Sequence, residues 1–134
     1  MKIVFDTSVI LSAFITQGLS SRVLDICIDR HSLYISQFII DEVSEKLRKK
    51  FNADQQQVSK TRSFLLSSFS LIKPAGEKPD VCRDKDDNYI LHISDAVNAN
   101  LIITGDNDLL VLGSHNGAQL ITPRTFMEKY HNTH

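Results

Sequence analysis

Four acidic residues stand where predicted helices and strands begin or end: Asp6, Glu42, Asp87 and Asp106. Each position can be explained alone, because acidic side chains cap helices and interact favourably with helix N-termini. In a parallel sheet the four would meet in one cleft, where mutual repulsion would raise their pKa values unless a cation neutralised them. Oxygen ligands without a neighbouring histidine or cysteine favour Mg²⁺ or Mn²⁺ over Zn²⁺. Such an ion can activate a water and stabilise a phosphodiester during in-line displacement.

The first of these residues closes the stretch Ile3-Val4-Phe5-Asp6. Three consecutive apolar residues indicate a strand buried on both faces, because a half-exposed strand would alternate with polar residues. Thr7 and Ser8 can cap a following helix, so Asp6 would lie where a strand of an open α/β sheet passes into a helix, the usual crevice for ligands. The alternative is that Asp6 is only a capping or turn residue.

Strands and helices alternate along the rest of the chain. Strands are predicted at 33–36, 71–72, 101–104 and 119–121, and helices at 8–15, from about 20 to 30, 37–51, from 54 to about 69, 88–98 and 109–112, with a terminal helix from Pro123. The alternation predicts an α/β fold, in which right-handed βαβ units form a mainly parallel sheet with helices on both faces. The strands before Asp6 and Asp106 should then open on the same edge of the sheet. Residues 74–87 are predicted to form a surface loop.

The size and composition of the chain limit its class. Its 134 residues are predicted to form one domain, residues 1–134. A formal net charge of −1 excludes a global basic field, so basic patches have to be judged locally. Cys27 and Cys82 form no disulfide framework, which favours a reduced, cytoplasmic setting. Asp6 interrupts the N-terminal apolar run too early for a signal peptide or a membrane span, so no membrane association is expected.

Four segments of the chain resemble the motifs of one protein family, in the family's order. They are Val4-Phe5-Asp6-Thr7-Ser8, Asp41-Glu42-Val43, Arg83-Asp84-Lys85-Asp86-Asp87-Asn88-Tyr89-Ile90-Leu91 and Leu101-Ile102-Ile103-Thr104-Gly105-Asp106-Asn107-Asp108-Leu109. Together they resemble the PIN domain, and most of all the toxin components of VapC-like toxin–antitoxin pairs. The resemblance covers nearly the whole chain.

The resemblance implies a three-layer α/β/α fold and a metal-dependent ribonuclease. The residues that match the family's metal-binding and catalytic acids are Asp6, Glu42, Asp87 and Asp106. The resemblance also makes Asp108 an auxiliary metal ligand. Ser8 and Thr104 match hydroxyl positions that orient carboxylates or water around the metal.

The third motif contains several acids, so the choice among them needs a reason. Asp87 is preferred because the apolar Ile90 follows it by about one helical turn, as in the family pattern. Asp84 or Asp86 is the alternative ligand. Lys85 stands where many relatives have proline, a departure that affects the loop more than the acids.

From the resemblance we expect hydrolysis of single-stranded RNA by a water that Mg²⁺ or Mn²⁺ activates, without a covalent protein intermediate. RNA phosphates need only a local basic patch, whose candidates are Arg22, Lys46, Lys49, Lys50, Arg83 and Lys85. Each candidate could equally belong to a solvated surface. The resemblance further implies a cognate antitoxin that blocks the acidic cleft, and a homodimer. Phe14, Phe38 and Phe69 are expected in the core and not as base-stacking platforms.

Two other classes of function fit part of the pattern. A doubly wound phosphatase also begins with a strand that ends in an aspartate, but it needs a second carboxylate two residues later, where Ser8 stands. A catalytically silent PIN module would hold a metal or a protein partner in the same acidic pocket. Turnover separates this binding module from the ribonuclease.

Overall fold

A computed structural model of the chain describes residues 1–131. Within these residues one sheet contains six strands: β1 (Lys2–Phe5), β2 (Ser32–Ser36), β3 (Ser70–Ile72), β4 (Leu101–Ile103), β5 (Ser114–His115) and β6 (Ala118–Ile121). The α-helices of the same residues are α1 (Thr7–Ile15), α2 (Leu19–Arg30), α3 (Gln37–Phe51), α4 (Gln55–Ser68), α5 (Asn88–Val97), α6 (Asn107–Leu110) and α7 (Pro123–Phe126). A 3₁₀ turn at Lys85–Asp87 precedes α5, and a π-helical turn at Met127–His131 follows α7.

The strand order in the sheet is β3-β2-β1-β4-β6-β5, and every neighbouring pair is parallel except β5 and β6. The predicted α/β fold, with a mainly parallel sheet between layers of helices, is therefore confirmed. The central strand β1 carries Ile3, Val4 and Phe5, which are at most 2% exposed. This burial explains the unbroken apolar run, because both faces of a central parallel strand are covered.

Helix α3, which carries Glu42, begins and ends at residues with clear capping chemistry. The Oγ of Ser36 accepts a hydrogen bond from the Ile39 N–H at 3.4 Å, as an N-cap residue does. Asn52 closes the helix in the left-handed conformation, with φ of 55°. Ile39 and Val43 are fully buried, so Glu42 lies at the border of the buried face and is itself half-buried.

A short hairpin near the C-terminus is missing from the sequence prediction. Strands β5 and β6 pair around Asn116 and Gly117, whose φ values are 48° and 90°. Positive φ at both residues is what a two-residue hairpin turn requires, and Asn-Gly is its strongest sequence signal. The signal is present, but a strand of two residues is too short to show any periodicity.

Element boundaries differ from the prediction by a few residues for local reasons. Helix α6 begins at Asn107 and not at 109, because the Asp106 side chain caps it by accepting from the Asp108 N–H at 2.9 Å. Pro123 is the first residue of α7, as predicted.

That residues 1–134 form a single domain stays a prediction, and residues 132–134 lie outside the described part.

Both cysteines are buried and free. Burial raises the pKa of the Cys27 thiol to about 12. Burial also raises the pKa of Cys82 to about 11, with a further contribution from the carboxylates of Asp87 and Asp106. Both side chains are therefore neutral thiols at physiological pH, which is the unreactive form.

Among the described residues no single helix is long and apolar enough to cross a membrane. In the described part of the chain, the helix pair α1 and α2, bent by 106° at its junction, reaches that length and composition.

Candidate functional site

The site is built at the carboxyl ends of β1 and β4, which are parallel neighbours with Phe5 opposite Ile103. Asp6 and Thr104 follow these two strands directly and therefore lie side by side. The Asp6 N–H donates to the Ile103 carbonyl at 3.0 Å, which extends the pairing by one step. Asp6 and Thr104 are 4% and 0% exposed, so the base of the site is buried.

The carboxylate of Asp6 is fixed by three donors. Its Oδ1 accepts from the Ser8 hydroxyl at 2.7 Å and from the Val9 N–H at 3.0 Å. Its Oδ2 accepts from the Thr104 hydroxyl. Asp6 is thus the N-cap of α1, as the capping alternative predicted. Capping does not exclude a further role, because a carboxylate has more lone pairs than these donors use.

Glu42 is positioned by a contact that sequence reasoning missed. The Thr7 hydroxyl donates to Glu42 Oε1, which ties the first residue of α1 to α3. Lys46 Nζ lies 3.9 Å from Glu42 Oε2, one turn further along the same helix. Thr7 looks like a helix cap in the sequence, and no local pattern reveals a bond across a separation of 35 residues.

Three further acids approach one another at the start of α5 and α6. Asp87, Asp106 and Asp108 can each offer one oxygen, and these oxygens lie within 4.8 Å of one another. Asp87 Oδ2 is buried and has no hydrogen-bond partner among the described residues. Burial raises the pKa of Asp87, and the neighbouring carboxylates of Asp106, Asp84 and Asp6 add to the effect, so that the pKa reaches about 7.

A partnerless buried carboxylate oxygen beside other carboxylates is costly without a proton or a cation. The atoms that could bind a metal ion here are all carboxylate oxygens, the ligand type that hard divalent cations prefer. The residues present therefore fit a Mg²⁺ or Mn²⁺ ion.

Thr104 connects the two sides of the site. Its hydroxyl donates to Asp6 Oδ2 and accepts from the Asp106 N–H at 2.9 Å. The hydroxyl therefore sets the distance between the acid of β1 and the acid that follows β4. Because the Thr104 hydroxyl is buried, water cannot replace either of these hydrogen bonds.

All four acids from the sequence prediction line one cavity of about 90 Å³, which we call the acidic cleft. Its lining residues are Asp6, Thr7, Ser8, Glu42, Lys46, Asp84, Asp86, Asp87, Ile90 and Asp106. Asp108 lies outside this lining but close to Asp87 and Asp106. The catalytic and metal-binding roles of these acids stay a prediction.

The three acids of the third motif have different surroundings. Asp84 caps the 3₁₀ turn, with Oδ1 accepting from the Asp86 N–H at 3.0 Å, and both residues are exposed. Asp87 alone of the three is half-buried. The preference for Asp87 over its two neighbours therefore agrees with its surroundings, and its role as a ligand stays a prediction.

Asn88 is a second residue that sequence reasoning missed. It is 1% exposed, and its Oδ1 accepts from the N–H groups of Val81 and Cys82, both at 3.0 Å. These bonds attach the end of the loop to the start of α5, where Asp87 lies. A polar residue in the first turn of a helix is too common to reveal such a role.

The candidate RNA-binding cations are placed unevenly. Lys46 lines the acidic cleft, and Arg83 Nε lies 3.4 Å from Asp108 Oδ1. Lys85 pairs with Asp80 at 2.8 Å, and Lys49 pairs with Glu45 at 2.5 Å. Arg22 and Lys50 are exposed and lie outside the cleft lining.

Comparison with known proteins gives one family and one curated relative. The family model of the PIN domain matches residues 2–108. The uncharacterized protein MJ1680 of Methanocaldococcus jannaschii is 32% identical over 145 aligned positions, which cover 97% of this chain and 92% of that protein.

Several solved structures share the fold. VapBC2 from Rickettsia felis, solved bound to a DNA fragment from their promoter, aligns with a TM-score of 0.65 at 14% identity, over 91% of this chain and 98% of that one. PAE2754 from Pyrobaculum aerophilum aligns with a TM-score of 0.65 at 20% identity, over 96% of this chain and 88% of that one. At these identities the likeness concerns the fold alone.

Proposed function

The chain belongs to the PIN domain family, and from this we propose that it is a metal-dependent ribonuclease that hydrolyses phosphodiester bonds of single-stranded RNA. The observation that carries the proposal concerns Asp87, which has a buried oxygen without a hydrogen-bond partner among the described residues and can offer an oxygen within 4.8 Å of those of Asp106 and Asp108. Such a group is suited to a cation that the carboxylates share. Asp6 and Glu42 approach the same cleft from β1 and α3.

The residues that would hold the ion are Asp6, Glu42, Asp87 and Asp106, with Asp108 beside them. When bound, Mg²⁺ or Mn²⁺ supplies Lewis acidity, which lowers the pKa of water and offsets negative charge on the phosphate. Ser8 and Thr104 keep Asp6 in one orientation, and the Thr7 hydroxyl does the same for Glu42. Asp87 has to release the proton that its raised pKa favours before it can serve as a ligand.

We propose further that the chain is the toxin of a toxin–antitoxin pair. The fold is shared with VapBC2, which supports an antitoxin partner, and the family resemblance implies that this partner would cover the acidic cleft. A homodimer and a cytoplasmic location are part of the same proposal. Several large apolar side chains are exposed on helices, Ile15, Phe51 and Leu66 among them, and such assemblies would cover them.

The proposal is tested by cleavage of a mixed-sequence single-stranded RNA. Purified wild type and Asp6→Asn are each assayed with Mg²⁺, with Mn²⁺ and with EDTA. We expect metal-dependent cutting by the wild type and none by the variant, because the substitution removes one anionic ligand. Asp25→Asn, which changes an exposed acid of α2, is the matched control and should cut normally. Circular dichroism should show all three proteins folded.

Three results would count against the ribonuclease. Cleavage in EDTA, or by purified Asp6→Asn, would show that the acidic cleft is not responsible. If none of the proteins cuts, while calorimetry detects Mn²⁺ binding that Asp6→Asn loses, the chain is a metal-binding PIN module without ribonuclease activity.

A further inference from the structure

An apolar groove of about 620 Å³ lies at the carboxyl ends of β2 and β3. We call it the aromatic groove. The lining residues that matter here are Phe38, Leu71, Ile72, Lys73, Tyr89 and His92. Its volume falls within the range of sites that bind small molecules, about 300–1,000 Å³.

The aromatic groove continues the acidic cleft along one edge of the sheet. The cleft lies beyond β1 and β4, the groove lies beyond β2 and β3, and neighbouring strands are only about 5 Å apart. Helix α3 contributes Phe38 to the groove and Glu42, one turn later, to the cleft. On the opposite side, Asp87 lines the cleft and Tyr89, two residues later in the sequence, lines the groove. A polymer held in the cleft therefore passes next to the groove.

The lining of the aromatic groove has the chemistry of a base-binding site. The rings of Phe38 and Tyr89 stack with centroids 3.5 Å apart and an interplanar angle of 6°. Lys78 Nζ lies 4.0 Å from the centroid of the Tyr89 ring. Phe38 and Lys78 both lie against the Tyr89 ring, so Phe38, which lines the groove and is half-buried, is the ring of the pair that is assigned to base stacking. Nucleobases stack on such rings regardless of sequence.

The charges of the two sites are complementary to different parts of a nucleotide. The described residues that line the groove carry no carboxylate, whereas those of the cleft carry six. Lys73 is exposed at the rim of the groove, and Lys78 lies beside Tyr89. Lys73 and Lys78 could therefore contact a phosphate beside the groove, whereas the carboxylates of the cleft suit a metal ion.

We infer that the aromatic groove binds the base of the nucleotide next to the scissile phosphate, with Phe38 as the stacking platform and Lys73 and Lys78 near the phosphate. The inference rests on the ribonuclease function proposed above. A peptide strand fits the same place less well. The edge strand β3 has three residues, so it offers few backbone groups for an added strand.

The first test measures RNA binding apart from cleavage. Binding of a fluorescent single-stranded RNA of mixed sequence is measured in EDTA, with every variant in the Asp6→Asn background. Phe38→Leu keeps an apolar side chain but removes the stacking face, and should weaken binding about tenfold or more. Phe38→Tyr keeps an aromatic face and should bind the RNA as tightly as the protein with Phe38. Lys73→Ala should reduce the slope of log K against log salt by about 0.7.

The matched control is Phe64→Leu, which removes a partly exposed ring on α4 and should leave binding unchanged. Melting temperatures establish that each variant is folded. In the otherwise wild-type protein, Phe38→Leu should raise KM for RNA by a similar factor while kcat is retained.

The possible results separate this inference from the ribonuclease proposal. If the wild type cuts RNA and folded Phe38→Leu binds and cuts with unchanged Kd and KM, the inference is wrong and the groove is left as a surface for a protein partner. If the wild type does not cut but RNA binding still depends on Phe38, the groove binds RNA and the ribonuclease proposal fails.

Discussion

The Thr104 hydroxyl is the single group that contacts both Asp6 and Asp106 in the described hydrogen bonds. It is fully buried, so water cannot take its place. A threonine that follows an apolar strand would ordinarily be read as a strand end, and the resemblance to PIN domains was needed to single it out. Its geometry gives that expectation a physical basis, because one hydroxyl both donates to one acid and accepts from the backbone of the other.

Thr104→Val should therefore disturb the site without changing its shape. Valine has nearly the same shape as threonine, but it leaves Asp6 Oδ2 without its donor and the Asp106 N–H without its acceptor. We expect the free energy of unfolding to fall by about 1–3 kcal/mol and the Mn²⁺ affinity by about 10–100-fold. Urea denaturation and calorimetry measure the two effects. Thr104→Ser, which keeps the hydroxyl, should behave like the wild type; a wild-type affinity in Thr104→Val would refute this role.

Asp87 should make the stability of the metal-free protein depend on pH. Burial and neighbouring carboxylates raise its pKa from 3.8 to about 7 in the folded chain. The folded state therefore binds the proton more tightly than the unfolded state. Its contribution to the free energy of unfolding is greatest below pH 3.8, declines as the pH rises towards about 7, and stays low above that value.

Comparison of the wild type with Asp87→Asn isolates this contribution. In EDTA the variant should lose the part of the pH dependence that lies between pH 3.8 and about 7, and it should melt at a higher temperature than the wild type at alkaline pH. Asp25→Asn serves again as the exposed control. Parallel curves for wild type and Asp87→Asn across this range would mean that Asp87 titrates normally.

The loop between β3 and α5 is the element that brings Asp84, Asp86 and Asp87 to the cleft. Its composition made the loop itself predictable, since Gly76, Pro79 and many charged residues disfavour regular structure. Its attachment was not predictable. It involves the amide of Asn88, a single side chain in the first turn of α5, which accepts from two N–H groups of the loop.

Asn88→Ala should release the end of this loop. The substitution leaves the N–H groups of Val81 and Cys82 without an acceptor, and each unsatisfied group costs about 1–3 kcal/mol if it stays buried. We expect these amides to exchange hydrogen much faster, while the amides of β1 keep their protection. Hydrogen exchange followed by mass spectrometry measures both regions in one sample. Equal protection of the loop in the variant would show that other contacts hold it.

Most of the fold could be predicted from the hydrophobic pattern of the sequence. The apolar runs of β1 and β4 lack alternation because both faces are covered, and their parallel pairing puts Asp6 and Asp106 on one edge of the sheet. These features depend on local pattern plus one topological rule, so the sequence predicts them. The short strand β5 lies below the length at which pattern is informative.

The contacts that join distant elements were not readable in the same way. Thr7 meets Glu42 across helices α1 and α3, and Phe38 meets Tyr89 across α3 and α5. Phe38 was expected in the core. It packs against the core but remains half-buried, as does Phe14, whereas Phe69 is 4% exposed. Such side-chain pairs depend on the angle between packed helices, which hydrophobic periodicity does not determine.

The sheet ends on both sides in very short strands, β3 with three residues and β5 with two. Unpaired backbone groups on a sheet edge are the template on which further chains add strands and form fibrils. Edges this short give an incoming chain too few partners to hold it in register. Crowded copies of the protein should therefore resist amyloid-like assembly, and association between copies would have to proceed through helical surfaces.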